Sequence, residues 1–116
     1  MPEKRFHDFL KSKIDSFIHN VYKVTKSFPK AELYGVTSQF RRSPLSVMLN
    51  YIEGYARNSN KTDKNFLRIS YGSLKEAEYL IQFSFEEGYL TENNSQVLSK
   101  QSDEIGAMLW KTIENK

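Results

Sequence analysis

FHDFLKSKIDSFIHNVYKVTKSF, residues 6–28, decides the fold class. Phe6, Leu10, Ile14, Phe17, Val21, Val24 and Phe28 recur every three or four residues, which draws one line down a helix. Ile18 and Tyr22 widen that line. A strand would alternate with period two, and no such alternation is present. Pro29 closes the segment, because a proline disfavours helical backbone at the residue before it, here Phe28. The predicted helix runs from about Lys4 to Ser27.

Working outward, Pro29–Gly35 is a turn with about one helical turn of its own. A second helix is expected to start near Thr37 or Ser38, either of which can cap its first amides, and to run to about Arg57. It carries two apolar stripes, one of Val36, Phe40, Val47 and Tyr51, the other of Leu45, Leu49, Ile52 and Ala56. A helix with two apolar faces is packed on more than one side. In a domain this small the second face is expected to meet another subunit. Pro44 lies inside this helix, removes one backbone hydrogen bond and costs about 3 kcal/mol in an ordinary helix interior. A kink, or a helix that effectively starts later, is expected there.

Asn60 or Thr62 can cap a third helix, with Asp63 well placed in its first turn. Phe66, Ile69, Ser73, Ala77, Leu80 and Ser84 follow one line of it, and Leu67, Tyr71, Leu74, Ile81 and Phe85 the next. Gly88 is a left-handed stop. A fourth helix begins after Thr91 or Asn94, with Val97, Leu98, Ile105, Met108, Leu109 and Ile113 as its apolar face and Trp110 beside it. Four helices on short connections predict an all-α, antiparallel up-down-up-down four-helix bundle. Residues 1–116 form a single domain, with no repeats, low-complexity tracts or linkers.

The composition agrees. Of 116 residues 39% are hydrophobic and 27% charged, enough apolar side chain for a packed core and too much for disorder. The absence of cysteine removes disulfides, thiolate zinc sites and cysteine nucleophiles. No apolar run approaches the roughly 20 residues of a membrane-spanning helix. The first residues, MPEKRFHDFLKSK, carry charge where a signal peptide needs its apolar stretch, so a cytoplasmic location is expected. The net charge of +3 is unevenly spread. Residues 1–75 hold 14 Lys/Arg and 6 Asp/Glu, or 14 − 6 = +8, and residues 76–116 hold 3 and 8, or 3 − 8 = −5. That asymmetry permits an anionic partner, and equally head-to-tail complementarity between identical subunits.

Several segments together resemble the bacterial four-helix-bundle proteins known as 23S rRNA intervening-sequence proteins. They are FPKAELYG at 28–35, TSQFRRS at 37–43 with Ser46, NYIEGYARNS at 50–59, FLRIS at 66–70, GSLKEAEYL at 72–80 and EEGYLTE at 86–92. The resemblance covers nearly the whole chain, in order and with unbroken spacing. The chain departs from the pattern at Ser43 and Pro44, where the family usually has small residues after the paired arginines, and at Met48, where it often has proline. The resemblance implies an antiparallel four-helix bundle that assembles as a homopentamer, with no enzymatic activity and no cofactor. A related group serves diversity-generating retroelements and binds nucleic acid and a reverse transcriptase. RNA or DNA, and a protein partner such as a reverse transcriptase, are therefore the partners it implies.

His7 and His19, twelve apart on one helix without carboxylates at ligand spacing, do not make a metal site. Gly72-Ser73 lies in a helix, where glycine permits close helix approach more often than chemistry. Glu53 and Glu76 are the only acid/base candidates. The structural reading places Glu53 in a polar stripe of Gln39, Arg42, Ser46, Asn50, Glu53 and Arg57, joined by Glu76, a network that must be fully satisfied if buried and that fixes register or oligomer geometry. That reading is preferred, and no catalytic residue is assigned. Arg57, Lys61, Lys64, Arg68 and Lys75 form one stripe across the turn and down the third helix. Lys61 and Lys64 lie near that helix's positive end, where the macrodipole disfavours them, which makes phosphate contact one reading of the stripe and a solvated lysine face the other. Tyr55, Tyr71, Tyr79 and Tyr89 are read as packing residues before base-stacking ones.

Overall fold

A computed structural model describes the backbone of residues 2–56 and 60–115 and the side chains of 4–56 and 64–115. Among the described residues there are four α-helices, one short 3-10 turn at Lys30–Glu32, and no strand. The helices are α1 (Pro2–Thr25), α2 (Val36–Ala56), α3 (Asn60–Glu86) and α4 (Glu92–Glu114).

Each helix end has a local cause. The amides of Lys26, Ser27 and Phe28 bond the carbonyls of Lys23, Val24 and Thr25, tightening the chain after α1 ahead of Pro29. Gly88, at φ +80°, ends α3. The Tyr89 amide bonds Ser84 O at 2.8 Å and the Gly88 amide bonds Phe85 O at 3.0 Å, the two bonds of a Schellman motif. Thr91 then caps α4, its Oγ1 accepting from the Asn94 amide at 3.0 Å. At α2 the sequence reading needs correction. The helix starts at Val36, and Thr37, one of the two expected caps, is buried with its hydroxyl unpartnered among the described residues.

The late start expected from Pro44 does not occur, since α2 runs from Val36 to Ala56 with Pro44 buried inside it. Phe40 one turn before and Val47 one turn after are wholly buried. Tertiary packing on both sides outweighs one missing backbone bond, as it does for most helices in proteins.

α1 packs against α2 and α4, α2 against α3, and α3 against α4. The core they enclose takes the predicted inner lines: Leu10, Ile14, Phe17 and Val21 from α1, Phe40, Val47 and Tyr51 from α2, Leu67, Leu74 and Ile81 from α3, and Leu98, Ile105 and Leu109 from α4. The second stripe of α2 stays outside. Leu49 is 64% and Ile52 43% exposed, Ala56 is exposed and Leu45 half-buried. Ile69, grouped with the inner line of α3, is 51% exposed.

Candidate nucleic-acid and assembly interfaces

Three of the five stripe cations have described side chains. Lys64, Arg68 and Lys75 share the outer face of α3, with Arg68 and Lys75 exposed and Lys64 half-buried. Arg57 lies outside the described residues, and Lys61 is described only as backbone within α3. Lys75 is the best-held of the three. Its Nζ donates to Glu78 Oε1 at 3.1 Å and sits 5.0 Å from the centre of the Tyr71 ring. The Glu78 hydrogen bond holds its ammonium above the usual lysine range, against the opposing effect of partial burial. Glu78 also accepts from Ser102 Oγ at 2.8 Å, and Tyr71 packs on Trp110 with ring centres 5.4 Å apart. Lys75 is thereby tied into the α3–α4 contact. Trp110, 51% exposed, gives this surface an aromatic plate that sequence reasoning left as a neighbour of the core. The signal was its position one residue, or 100°, off the Ile105–Leu109–Ile113 line.

The polar stripe of α2 separates into parts. Ser46 and Asn50 are half-buried at the α3 seam. The Ser46 and Ser73 hydroxyls are 2.7 Å apart, and Asn50 Nδ2 donates to Ser46 O at 2.9 Å and to Ser46 Oγ at 3.1 Å. Ser70 Oγ donates to the Val47 carbonyl at 2.7 Å, a side-chain-to-backbone bond that requires the two helices to approach closely. Glu53 is half-buried, whereas Gln39, Arg42 and Glu76 are exposed in the single chain. The paired arginines point different ways. Arg41 Nε donates to Thr25 Oγ1 at 2.8 Å and its guanidinium lies 4.9 Å from the Tyr22 ring, pinning α2 to the end of α1, while Arg42 stands open.

Beside these polar groups runs the apolar outer surface of α2 and α3. Leu49, Ile52, Ile69 and Tyr79 are each more than two-fifths exposed. A cleft of about 470 Å³ opens at one end of it, lined by Gln39, Gly72, Lys75, Glu76, Tyr79 and Leu80. A further buried contact was not legible in the sequence. His7 Nδ1 hydrogen-bonds the Tyr51 hydroxyl across 44 residues, with Tyr55 against the imidazole at 4.1 Å between ring centres. Burial first, then the Tyr55 and Asp8 charges, push the Tyr51 phenol well above its usual range.

The model of the 23S rRNA-intervening sequence protein family matches residues 10–111. The chain belongs to that family. Its fold is similar to a crystal structure of a protein of unknown function from the S23 ribosomal protein family of Bacteroides thetaiotaomicron, with a TM-score of 0.86 and 22% identity over 94% of this chain and 98% of the other. No curated protein matches.

For an intervening-sequence family chain, the remaining chemical candidates are few. Among the described residues no three His, Asp or Glu side chains converge as metal ligands. Glu76 lines the 470 Å³ cleft, and Glu53 is not among the residues around it. No described helix is long and apolar enough to cross a membrane.

Proposed function

We propose that this family member is a non-enzymatic, homo-oligomeric scaffold whose basic face contacts RNA or DNA. The subunit is an antiparallel up-down-up-down bundle. Neighbouring helices pair head to foot: His7 meets Tyr51 while Thr25 meets Arg41, and Tyr71 meets Trp110 while Glu78 meets Ser102. The observation that carries the assembly is the outer α2–α3 surface. Leu49, Ile52, Ile69 and Tyr79 leave apolar area in water that a second copy would cover at about 25 cal/mol per Å². A homopentamer follows from the sequence resemblance, and a cytoplasmic location and a protein partner such as a reverse transcriptase belong to the same reading. Lys64 and Arg68 lie on another side of α3 from Ile69 and outside the cleft that Lys75 lines, so assembly through the apolar face leaves those two cations open. A ring repeats a modest basic patch once per subunit, and avidity multiplies weak phosphate contacts.

Light scattering tests the assembly, with a stable monomer as the contradicting result. Fluorescence anisotropy with labelled single- and double-stranded oligonucleotides, titrated with salt, tests the partner. Affinity should fall steeply as salt rises. One observation favours a second reading, a protein-interaction adaptor without nucleic-acid binding: Lys75 already has Glu78 as its counter-charge. Absence of oligonucleotide binding at low salt would select it.

A further inference from the structure

Trp110 is the single tryptophan of the chain, and 51% of it is exposed. Its inner half is wedged in place. Gly106, one turn earlier on α4, lets α3 and α4 close on each other, since a Cβ there would already touch Leu74 Cδ2 at 3.4 Å. That approach sets Trp110 against Tyr71 of α3, with ring centres 5.4 Å apart and planes at 56°. The Lys75 ammonium lies 5.0 Å from the Tyr71 ring centre, and Glu78 holds it at 3.1 Å while accepting from Ser102 of α4. A ring fixed in this way has little freedom left to lose on binding. A helical side chain leans over the turn before its own. Here that turn offers only Gly106 and the exposed Ala107, so no bulky neighbour on α4 shields the indole.

The ring stands among cations. On α3, Lys64, Arg68, Tyr71 and Lys75 follow at steps of four, three and four residues, one line down the helix. Tyr71 interrupts the cations, and Trp110 stands beside that gap. From Lys64 to Lys75 the line is about 16.5 Å long, the length of about five nucleotides at 3.4 Å each. It faces α4, whereas Ser70 and Ser73 face α2. Neither Tyr71 nor Trp110 lines the 470 Å³ cleft. α4 itself carries the opposite charge there, with Asp103 seven residues before Trp110 and Glu114 four after, both exposed. A polyanion is therefore guided along α3, and α4 offers it only the ring.

Phosphates need charge alone, and a duplex keeps its bases stacked on one another. An unpaired base presents a flat π-face that an aromatic ring can take whatever the base. We propose that Trp110 is a stacking platform for an unpaired base, so that this face takes single-stranded rather than duplex nucleic acid. This rests on the nucleic-acid reading above and adds the residue that meets a base rather than a phosphate.

Because Trp110 has no second tryptophan beside it in the sequence, its own fluorescence reports the contact. An unlabelled oligothymidylate added to the native protein at low salt should quench that fluorescence. A duplex of the same length should quench it less and bind roughly tenfold more weakly. By anisotropy with labelled strands, Trp110→Ala should weaken single-strand binding roughly tenfold and leave duplex binding alone. The slope of log affinity against log salt should not change, because no phosphate contact is lost. Trp110→Phe should recover most of the affinity, with helical circular dichroism the same in all three proteins. Single-strand binding without quenching, or undiminished in Trp110→Ala, overturns the stacking and leaves the phosphate-binding face standing. Equal affinity and equal quenching with duplex overturn the strand preference. No binding of either oligonucleotide at low salt overturns the nucleic-acid reading together with this one.

Discussion

The α1–α4 seam and the α2–α3 seam lie on opposite sides of the molecule, and they are finished differently. The first is laced on its outside by polar pairs. Lys13 meets Glu104, Asn20 donates to the Gln101 carbonyl oxygen at 3.0 Å, and Gln101 donates to Ser16. Even the exposed Phe9 ring has the Lys13 ammonium 4.9 Å from its centre. The second is drawn tight by small hydroxyls inside, Ser46 on Ser73 and Ser70 on Val47, and left apolar outside. A surface meant for water places charge over its apolar groups. The contrast shows that exposed apolar area means most where such cover is missing.

The sharpest way to break the contrast is to compare inside with outside directly. Phe17→Ala should cost about 3–5 kcal/mol in urea unfolding, because it empties a wholly buried site. Leu49→Ala, on the outer seam, should cost under about 0.5 kcal/mol in chain stability. An outer substitution as damaging as the inner one would show that the two faces had been assigned the wrong way round.

Next in size is assembly. Leu49→Asp with Ile69→Asp should yield folded monomers by light scattering, since each carboxylate would otherwise be buried unpaired. The matching pair on the opposite seam, Asn20→Asp with Gln101→Asp, should leave the assembly intact. Smaller again is the basic face. Lys64→Ala with Arg68→Ala should lower oligonucleotide affinity and reduce the slope of log affinity against log salt by about 2. Lys75→Ala should change it less, because Glu78 already balances that charge.

The smallest effect belongs to the polar lacing itself. Lys13 holds the Glu104 carboxyl below its usual range, first by its hydrogen bond and then by its charge. The folded form therefore binds this proton less readily than the unfolded chain does. The stabilisation is complete above the unfolded carboxyl pKa and disappears as pH falls through the depressed one. Glu104→Gln should make thermal unfolding slightly less pH-dependent in mild acid, its small loss of stability appearing at neutrality and vanishing below the depressed pKa.

Much of this contrast is written in the sequence. The single line of α1 is visible because that helix buries one face, and the two stripes of α2 are visible because both are apolar. Periodicity gives no sign of which stripe a lone chain buries. Leu45–Leu49–Ile52 and Phe40–Val47–Tyr51 both follow helical spacing and are similarly oily, and only packing against α1 and α3 selects the second. Ile69 was grouped with the inner line for the same reason. A helical line is broad, and a residue at its rim turns outward when the partner helix comes close through serine rather than leucine. The His7–Tyr51 bond was beyond reach, because its partners lie 44 residues apart and nothing local announces it. The cation stripe was legible by spacing, while the anchoring of its last member through Glu78, Ser102 and the Tyr71–Trp110 pair depends on where α4 lies.

The buried phenol of Tyr51 makes the protein a recorder of its own alkaline unfolding. It is one of seven tyrosines and resists ionisation as long as it stays enclosed with His7. In base the unfolded chain gives up that proton near pH 10 while the folded one keeps it, so stability declines from there upward. In a titration followed by tyrosinate absorbance, Tyr51 should be the last to change colour, and it should do so together with the loss of helix.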